Sequence, residues 1–331
     1  MKVAIVILNW NGKKILEQFL PSVVEYSEKA NIYVADNAST DKSIPYLKEK
    51  FNKVTIIQNK TNGGYAKGYN DALKNVTEDL LILLNNDVEV TQNWLLPIIN
   101  EFKRDASLIA AQPKILDFNN KKYFEYAGAG GGFIDRLGYP YCRGRIFNTI
   151  EKDKGQYNDI NKIFWASGAC FIVRNNEFKE LNGFDENFFA HQEEIDLCWR
   201  IQQNDGIIKY IGNSTVYHLG GATLSNINPI KTFYNFRNSL LMLVKNIESS
   251  KVWIILFLRL LMDGIAGLNF LIQGKWKHTL AIVKAHFSFY SLLPRYINKE
   301  YKIRKVIKYY HIKSIVWNYF IRKNRIFKEL N

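Results

Sequence analysis

Five short apolar runs recur through the first 112 residues: Val3 to Leu8, Ile32 to Ala35, Val54 to Ile57, Leu80 to Leu84 and Leu108 to Ala111. Runs of this length are too short for a membrane span and suit strands buried on both faces. The segments between them are amphipathic and of helical length, with Thr40, Asn62 and Thr91 standing where N-caps are expected. This rhythm predicts an α/β fold, a mostly parallel, doubly wound sheet flanked by helices. In such sheets ligands lie beyond the carboxyl ends of the strands.

The predicted strand ends are polar: Asn9-Trp10-Asn11-Gly12, Asp36 through Asp41, Asn59 through Tyr65, and Asn85-Asn86-Asp87. From 117 to 162 the pattern dissolves into a Gly-, Tyr- and Lys-rich stretch containing Gly128-Ala129-Gly130-Gly131-Gly132, which reads as an irregular, mobile excursion. Order resumes with a strand over Ile163 to Val173, a short helix, a turn at Asn182 to Asp185, a helix over Glu193 to Asn204, and a strand over Thr215 to Tyr217.

The charge divides the chain. Residues 1 to 229 hold 26 Lys+Arg against 27 Asp+Glu, and residues 230 to 331 hold 19 against 4, so all the net basicity belongs to the last third. A uniformly basic nucleic-acid binder is therefore not expected, and the split predicts two units, 1–229 and a basic, mainly helical 230–331. Val252 to Ile272 has the length of a membrane span, yet Arg259 and Asp263 fall near its centre, where each costs ~2.5–3.5 kcal/mol. Four residues apart on a helix they can pair. Two readings stand: helices lying on an anionic bilayer surface, or a buried helical subdomain with a solvated basic face. Cys142, Cys170 and Cys198 make no CxxC pair, so neither a disulfide framework nor a cysteine zinc site is expected. The six apolar residues after Lys2 are too few for a signal-peptide core, which makes Asn37, Asn75 and Asn213 poor glycan acceptors.

Several residues have the chemistry for a site. Asp87 follows a strand and offers a carboxylate to a hard divalent cation, whose remaining ligands a substrate diphosphate can supply. Asp36 can accept from the N3–H of uracil or thymine, or serve only an Asx-turn. Asn62-Gly63-Gly64 offers backbone N–H groups at a helix start, suited to a nucleotide, although the same residues commonly make a turn. Glu193, Glu194 and Asp196 crowd the first turn of one helix, where neighbouring carboxylates raise one another's pKa and suit a general base, while the helix dipole gives a structural reason for two of the three. His218, before Gly220-Gly221, could join Asp87 on a metal as a neutral imidazole. Arg237-Asn238 could meet a phosphate, although a solvated helix residue is the simpler reading.

In this order and spacing the segments 6–12, 34–41, 62–66, 84–88, 167–170, 183–186, 193–197 and 216–218 resemble a family-2 glycosyltransferase of GT-A fold, in its bacterial rhamnosyltransferase-like branch. The resemblance covers roughly residues 1 to 225. It implies inverting transfer of a sugar from a nucleoside-diphosphate donor, UDP- or dTDP-linked, to a hydroxyl of a glycan or lipid-linked acceptor in cell-surface polysaccharide synthesis. It further implies donor binding by Asn9, Asp36, Asn62, Gly63, Asn85 and Asp87, with Mg²⁺ or Mn²⁺ on Asp87 and His218. Glu194 is then the base, and Trp165, Ser167, Gly168 and Glu193 lie near the sugar or acceptor. Two departures matter: Asn85 stands where many relatives carry Asp, and Glu194 where Asp is usual, which leaves the base between Glu193 and Glu194. A cytoplasmic enzyme, peripheral on the inner membrane face, follows from the resemblance together with the basic C-terminus.

Two rivals remain. A nucleotidyltransferase making nucleoside-diphosphate sugars would show a Gly-rich, Lys/Arg-bearing phosphate loop after the first strand, and Asn9-Trp10-Asn11-Gly12 is neutral. A membrane- or nucleic-acid-binding protein would act through its basic third alone.

Overall fold

A computed structural model describes residues 1–220, 228–298 and 305–330. Gly221 lies outside them. The expected strands form in order: β1 (Val3–Asn9), β2 (Asn31–Asp36), β3 (Thr55–Gln58), β4 (Leu80–Asn85), a short β5 (Val88–Val90) and β6 (Leu108–Asp117). Between them run helices α1 (Lys13–Tyr26), α2 (Ser43–Lys50), α3 (Gly64–Ala72) and α4 (Leu95–Arg104).

These strands join β11 (Ile160–Lys162), β12 (Cys170–Arg174) and β13 (Ile207–His218) in one nine-stranded sheet. Its order is β11-β13-β6-β12-β4-β1-β2-β3, with β5 paired to β13. Parallel pairing joins β4, β1, β2 and β3, and again β6 and β13, while β12, β11 and β5 run antiparallel to their neighbours. Six strands thus share a direction and deliver their ends, Asn9, Asp36, Gln58, Asn85, Asp117 and His218, to one edge.

Successive side chains supply two cores, as the period of two requires. Val3, Ile5 and Ile7 face one core with Leu80, Ile82 and Leu84, where Leu16 and Leu20 of α1 and Ile98 of α4 cover them. Ala4 and Val6 face the other with Leu81 and Leu83, beneath α3, the short α5 (Asn175–Glu180), α6 (Glu193–Gln203) and α7 (Pro229–Asn246). Each large aliphatic side chain so buried contributes about 1.5–3 kcal/mol.

Four expectations change. The 117–162 stretch holds a four-stranded antiparallel meander, β7 (Gly132–Ile134), β8 (Pro140–Cys142), β9 (Arg145–Ile146) and β10 (Thr149–Ile150), and Ala129, Ile134, Cys142 and Ile146 in it are fully buried. Its glycines serve close packing: a Cβ at Gly132 would lie 2.0 Å from the Trp165 ring. The strand expected from Ile163 begins only at Cys170, because residues 163–169 turn through a bridge between Trp165 and Gly132. The last strand has 12 residues, extended by register shifts against β6. The helix starts also differ: the N-cap positions are Lys42, Gly63 and Trp94 rather than Thr40, Asn62 and Thr91. Thr91 instead donates to the Thr215 carbonyl, and Asn62 still takes the Gly64 N–H.

Beyond β13, α7, α8 (Ser249–Ile272) and α9 (Trp276–Asn298) pack together. Leu240 to Leu243, Ile255 and Phe289 belong to the same core as Phe171 and Trp199, so packing is continuous across the charge boundary at 229/230. Arg259 and Asp263 do pair, at 3.6 Å, both buried. The segment 305–330 returns to the meander, where Ile134 bridges Tyr310 and the Ile315 N–H donates to Asp135. All three cysteines are buried free thiols.

Candidate active site

The strand-end edge carries one hydrogen-bonded chain. Asn9 and Asp36 are paired across β1 and β2; Asn9 Nδ2 donates to Asp36 Oδ1 at 3.3 Å, and Asn9 Oδ1 accepts from Asn86 Nδ2 at 3.1 Å. Asp36 Oδ2 takes the Ser39 N–H at 2.9 Å. Gly12 makes room for this chain, since a Cβ there would fall 2.4 Å from Asn9 Oδ1 and 2.5 Å from Asn86 Nδ2. Asp36 is thereby connected to the segment that carries Asp87.

Asp87 meets His218 from β13, with Oδ1 3.1 Å from Nε2, while Asn85 Nδ2 lies 3.4 Å from the same nitrogen. On the other side of the ring, Nδ1 lies 3.4 Å from Glu125 Oε2 and has no hydrogen-bond partner among the described residues. Burial works against a charge on His218, but the Asp87 and Glu125 carboxylates prevail and push its pKa up to about 10. The structure therefore brings Asn85, Asp87 and His218 together, as expected, and adds Glu125. That residue's only signal in the sequence was a carboxyl group within the Gly-rich stretch.

The start of α3 differs from expectation. Its N–H groups are already committed: Gly64 to Asn62 Oδ1 at 3.0 Å, Tyr65 and Ala66 to the Phe189 carbonyl at 2.7 and 3.2 Å. Gly64, at φ +71°, is needed because a Cβ would meet that carbonyl at 2.4 Å. Asn62 Oδ1 also accepts from Asn37 Nδ2 at 2.9 Å. Asn62 thus ties the turn to Asn37, next to Asp36, and the N–H groups of residues 64–66 are not open to a phosphate.

At α6 the three acidic residues separate. Asp196 is fully engaged by Lys245, Asn246 and Arg200 at 2.8 to 2.9 Å. Glu193 and Glu194 each have a buried oxygen with no partner among the described residues, and His191 Nε2 and Gln192 Oε1 are in the same state. Burial raises both glutamates, Glu193 well above the carboxyl range and Glu194 to about 7, the first also through repulsion from the second. Glu193 is buried, whereas Glu194 keeps access to solvent. Burial lowers His191 to about 4, assisted by Lys231, so it is neutral at physiological pH.

The loop entering α6 is strained, with Phe189, His191 and Gln192 at φ 63°, 71° and 75°. Helix α7 holds it. Asn238 Nδ2 lies 2.8 to 2.9 Å from the carbonyls of Phe188, Ala190 and His191, and Arg237 donates to those of Asn187 and Phe188. Both residues are buried, so Arg237-Asn238 is neither a solvated pair nor a phosphate site.

Residues 4–181 match the family model described as Glycosyl transferase family 2. The chain belongs to glycosyltransferase family 2. It is 25% identical over 219 residues to the N-acetylglucosaminyl-diphospho-decaprenol L-rhamnosyltransferase of Mycobacterium tuberculosis, covering 61% of this chain and 71% of that one. To rhamnosyltransferase WbbL of Escherichia coli it is 26% identical over 215 residues, 60% of this chain and 76% of that one. Among solved structures, GalNAc-T7 with UDP, GalNAc and Mn²⁺ shares the fold at TM-score 0.57 and 18% identity, covering 74% of this chain and 48% of that one. The GT-A arrangement expected for a glycosyltransferase of this family is the one observed.

In this glycosyltransferase, Trp165 is buried with its indole N–H on the Phe133 carbonyl at 3.0 Å, so it packs the meander and offers no polar group to a sugar. Ser167 donates to the Ala127 carbonyl. The Gly168 carbonyl accepts from Tyr65 at 2.9 Å, which ties this segment to α3. Among the described residues no group of three His, Cys, Asp or Glu side chains could hold a metal alone. Asp87 and His218 suit a cation whose other ligands come from a diphosphate and water. Asp87 Oδ1 and His218 Nε2, 3.1 Å apart, are close enough that both could hold one cation.

Proposed function

We propose that this glycosyltransferase moves a sugar, with inversion, from a UDP- or dTDP-linked donor to a hydroxyl of a glycan or lipid-linked glycan in cell-surface polysaccharide synthesis. The observation that carries the reading is the run of partnerless buried polar atoms from His191 to Glu194. Native interiors leave few such atoms, and four consecutive residues in that state suit a site completed by substrate.

Asp36 has acceptor capacity beyond the two bonds described and would receive the N3–H of uracil or thymine. Asp87 and His218 would hold Mg²⁺ or Mn²⁺, His218 as neutral imidazole after giving up its proton. When bound, the cation offsets charge on the departing diphosphate. Glu194 takes the acceptor proton as the hydroxyl attacks the anomeric carbon opposite the leaving group. Its partial exposure supports it over the more buried Glu193. Residues 1–229 act as the catalytic unit and 230–331 as the element facing acceptor and membrane, on the inner face of the plasma membrane. The lipid-linked acceptor is supported by the decaprenol-linked substrate in the mycobacterial relative's name.

Calorimetric titration of UDP, dTDP, CDP and GDP, with and without Mn²⁺, tests the donor half on wild type and Asp87→Ala. Metal-dependent UDP or dTDP binding that the variant loses is the expected result. No nucleotide binding under any condition would overturn it.

A further inference from the structure

Helix α8 has two unlike faces. Val252, Ile255, Leu256, Arg259 and Asp263 face the protein and are buried. At 3.6 residues per turn the opposite side, roughly 180° away, carries Ile254, Phe257, Leu261, Ile265 and Leu268, and all of these are more than half exposed. Val283 of α9, 44% exposed, lines one groove with Leu268 and Leu271 of α8, so the patch extends onto α9. Contiguous apolar surface on this scale is rare on a monomer surrounded by water.

The buried face decides how α8 can meet a membrane. Arg259 donates to the Leu137 carbonyl at 3.0 Å and to Ser239 at 2.8 Å; Asp263 takes His286 at 3.1 Å and Tyr139 at 3.4 Å. Spanning would strip these groups of their partners within hydrocarbon, although by length and composition the helix could cross a bilayer. The turn between α8 and α9 adds Lys275, and the first turn of α9 adds Lys277 beside the exposed Trp276, within a C-terminal third of 19 basic and 4 acidic residues.

We propose that the outward face of α8 and α9 docks on an anionic bilayer, with α8 lying in the plane of the interface. Apolar side chains enter the acyl boundary, the lysines meet lipid phosphates, and the Arg259–Asp263 pair stays inside the protein. The inference deepens the membrane element of the proposed function and rests on that reading only there.

Flotation of the full chain tests it, with vesicles of phosphatidylcholine alone and of phosphatidylcholine mixed with phosphatidylglycerol. Wild type is expected to float with the mixed vesicles and to be released by alkaline carbonate. Lys275→Gln with Lys277→Gln should weaken binding on the order of 25-fold, roughly fivefold per lysine. Phe257→Glu with Leu261→Glu should abolish flotation while circular dichroism and nucleotide binding stay unchanged. Resistance to carbonate would overturn the in-plane docking, and equal binding to neutral vesicles would overturn the role of the lysines. A dimer that the Phe257→Glu, Leu261→Glu variant dissociates, without flotation, would assign the patch to a second copy. Flotation needs neither donor nor acceptor, so its failure leaves sugar transfer standing.

Discussion

Glu194, the proposed base, carries the prediction most open to test. With its carboxyl pushed up to about 7, it is half protonated near neutrality, and a base must be ionised. The expected kcat/KM profile rises with pH through about 7 and then levels, and Glu194→Gln should lower it by ~10²–10⁴ at the plateau. Stability runs the other way. Both glutamates bind protons more tightly folded than unfolded, so their favourable contribution is complete below the ordinary carboxyl range and is lost as pH rises, for Glu194 through about 7. Glu193→Gln with Glu194→Gln should therefore melt above wild type near about pH 8, by on the order of 1–3 kcal/mol, and the gap should close near about pH 4. Asp36, Asp87 and His218 were legible because each ends or follows a strand at one edge. Glu125 was not, since no periodicity marks a loop carboxylate. The α3 turn misled because the availability of its N–H groups depends on the Phe189 carbonyl, far along the chain.

Helices α6 and α7 work as a unit. Asn238 holds the strained loop at one end, and Lys245 and Asn246 grip Asp196 at the other, which fixes the first turn of α6 between two anchors. Asn238→Ala takes the side-chain donor from the Ala190 and His191 carbonyls and one of the donors from Phe188, and lets that turn drift. A misplacement of about 1 Å can cost up to ~10²-fold in rate. The expected outcome is a roughly 10–100-fold fall in kcat with calorimetric nucleotide affinity little changed; a parallel loss of both would mean general unfolding. At this scale the sequence revealed the β-α alternation, because apolar runs declare strands buried on both faces. It concealed the meander, whose two- and three-residue strands are below any detectable period, and α7, whose polar residues read as solvated while they in fact satisfy backbone carbonyls inside the protein.

Across the whole molecule, charge and packing partition differently. The basic third begins at residue 230, yet its helices complete a core begun by the sheet, and its last segment covers the meander. Ile315 and Tyr319 are buried there, with Tyr319 on Thr149 at 2.9 Å. Removing residues 305–331 should cost on the order of 3–6 kcal/mol from these two side chains alone, read as a lower denaturation midpoint. It should also expose Phe133 and Tyr141, read by increased binding of an apolar dye. An unchanged midpoint would mean that the tail merely rests on the surface. The contact also orders events in time. At ~5–20 residues per second, roughly 10–30 s separate synthesis of the meander from that of the strap that closes it. The sheet can assemble while the chain is still being made, but the strap is made well after the meander it covers, and until then the nascent chain exposes the apolar surface that a chaperone would recognise.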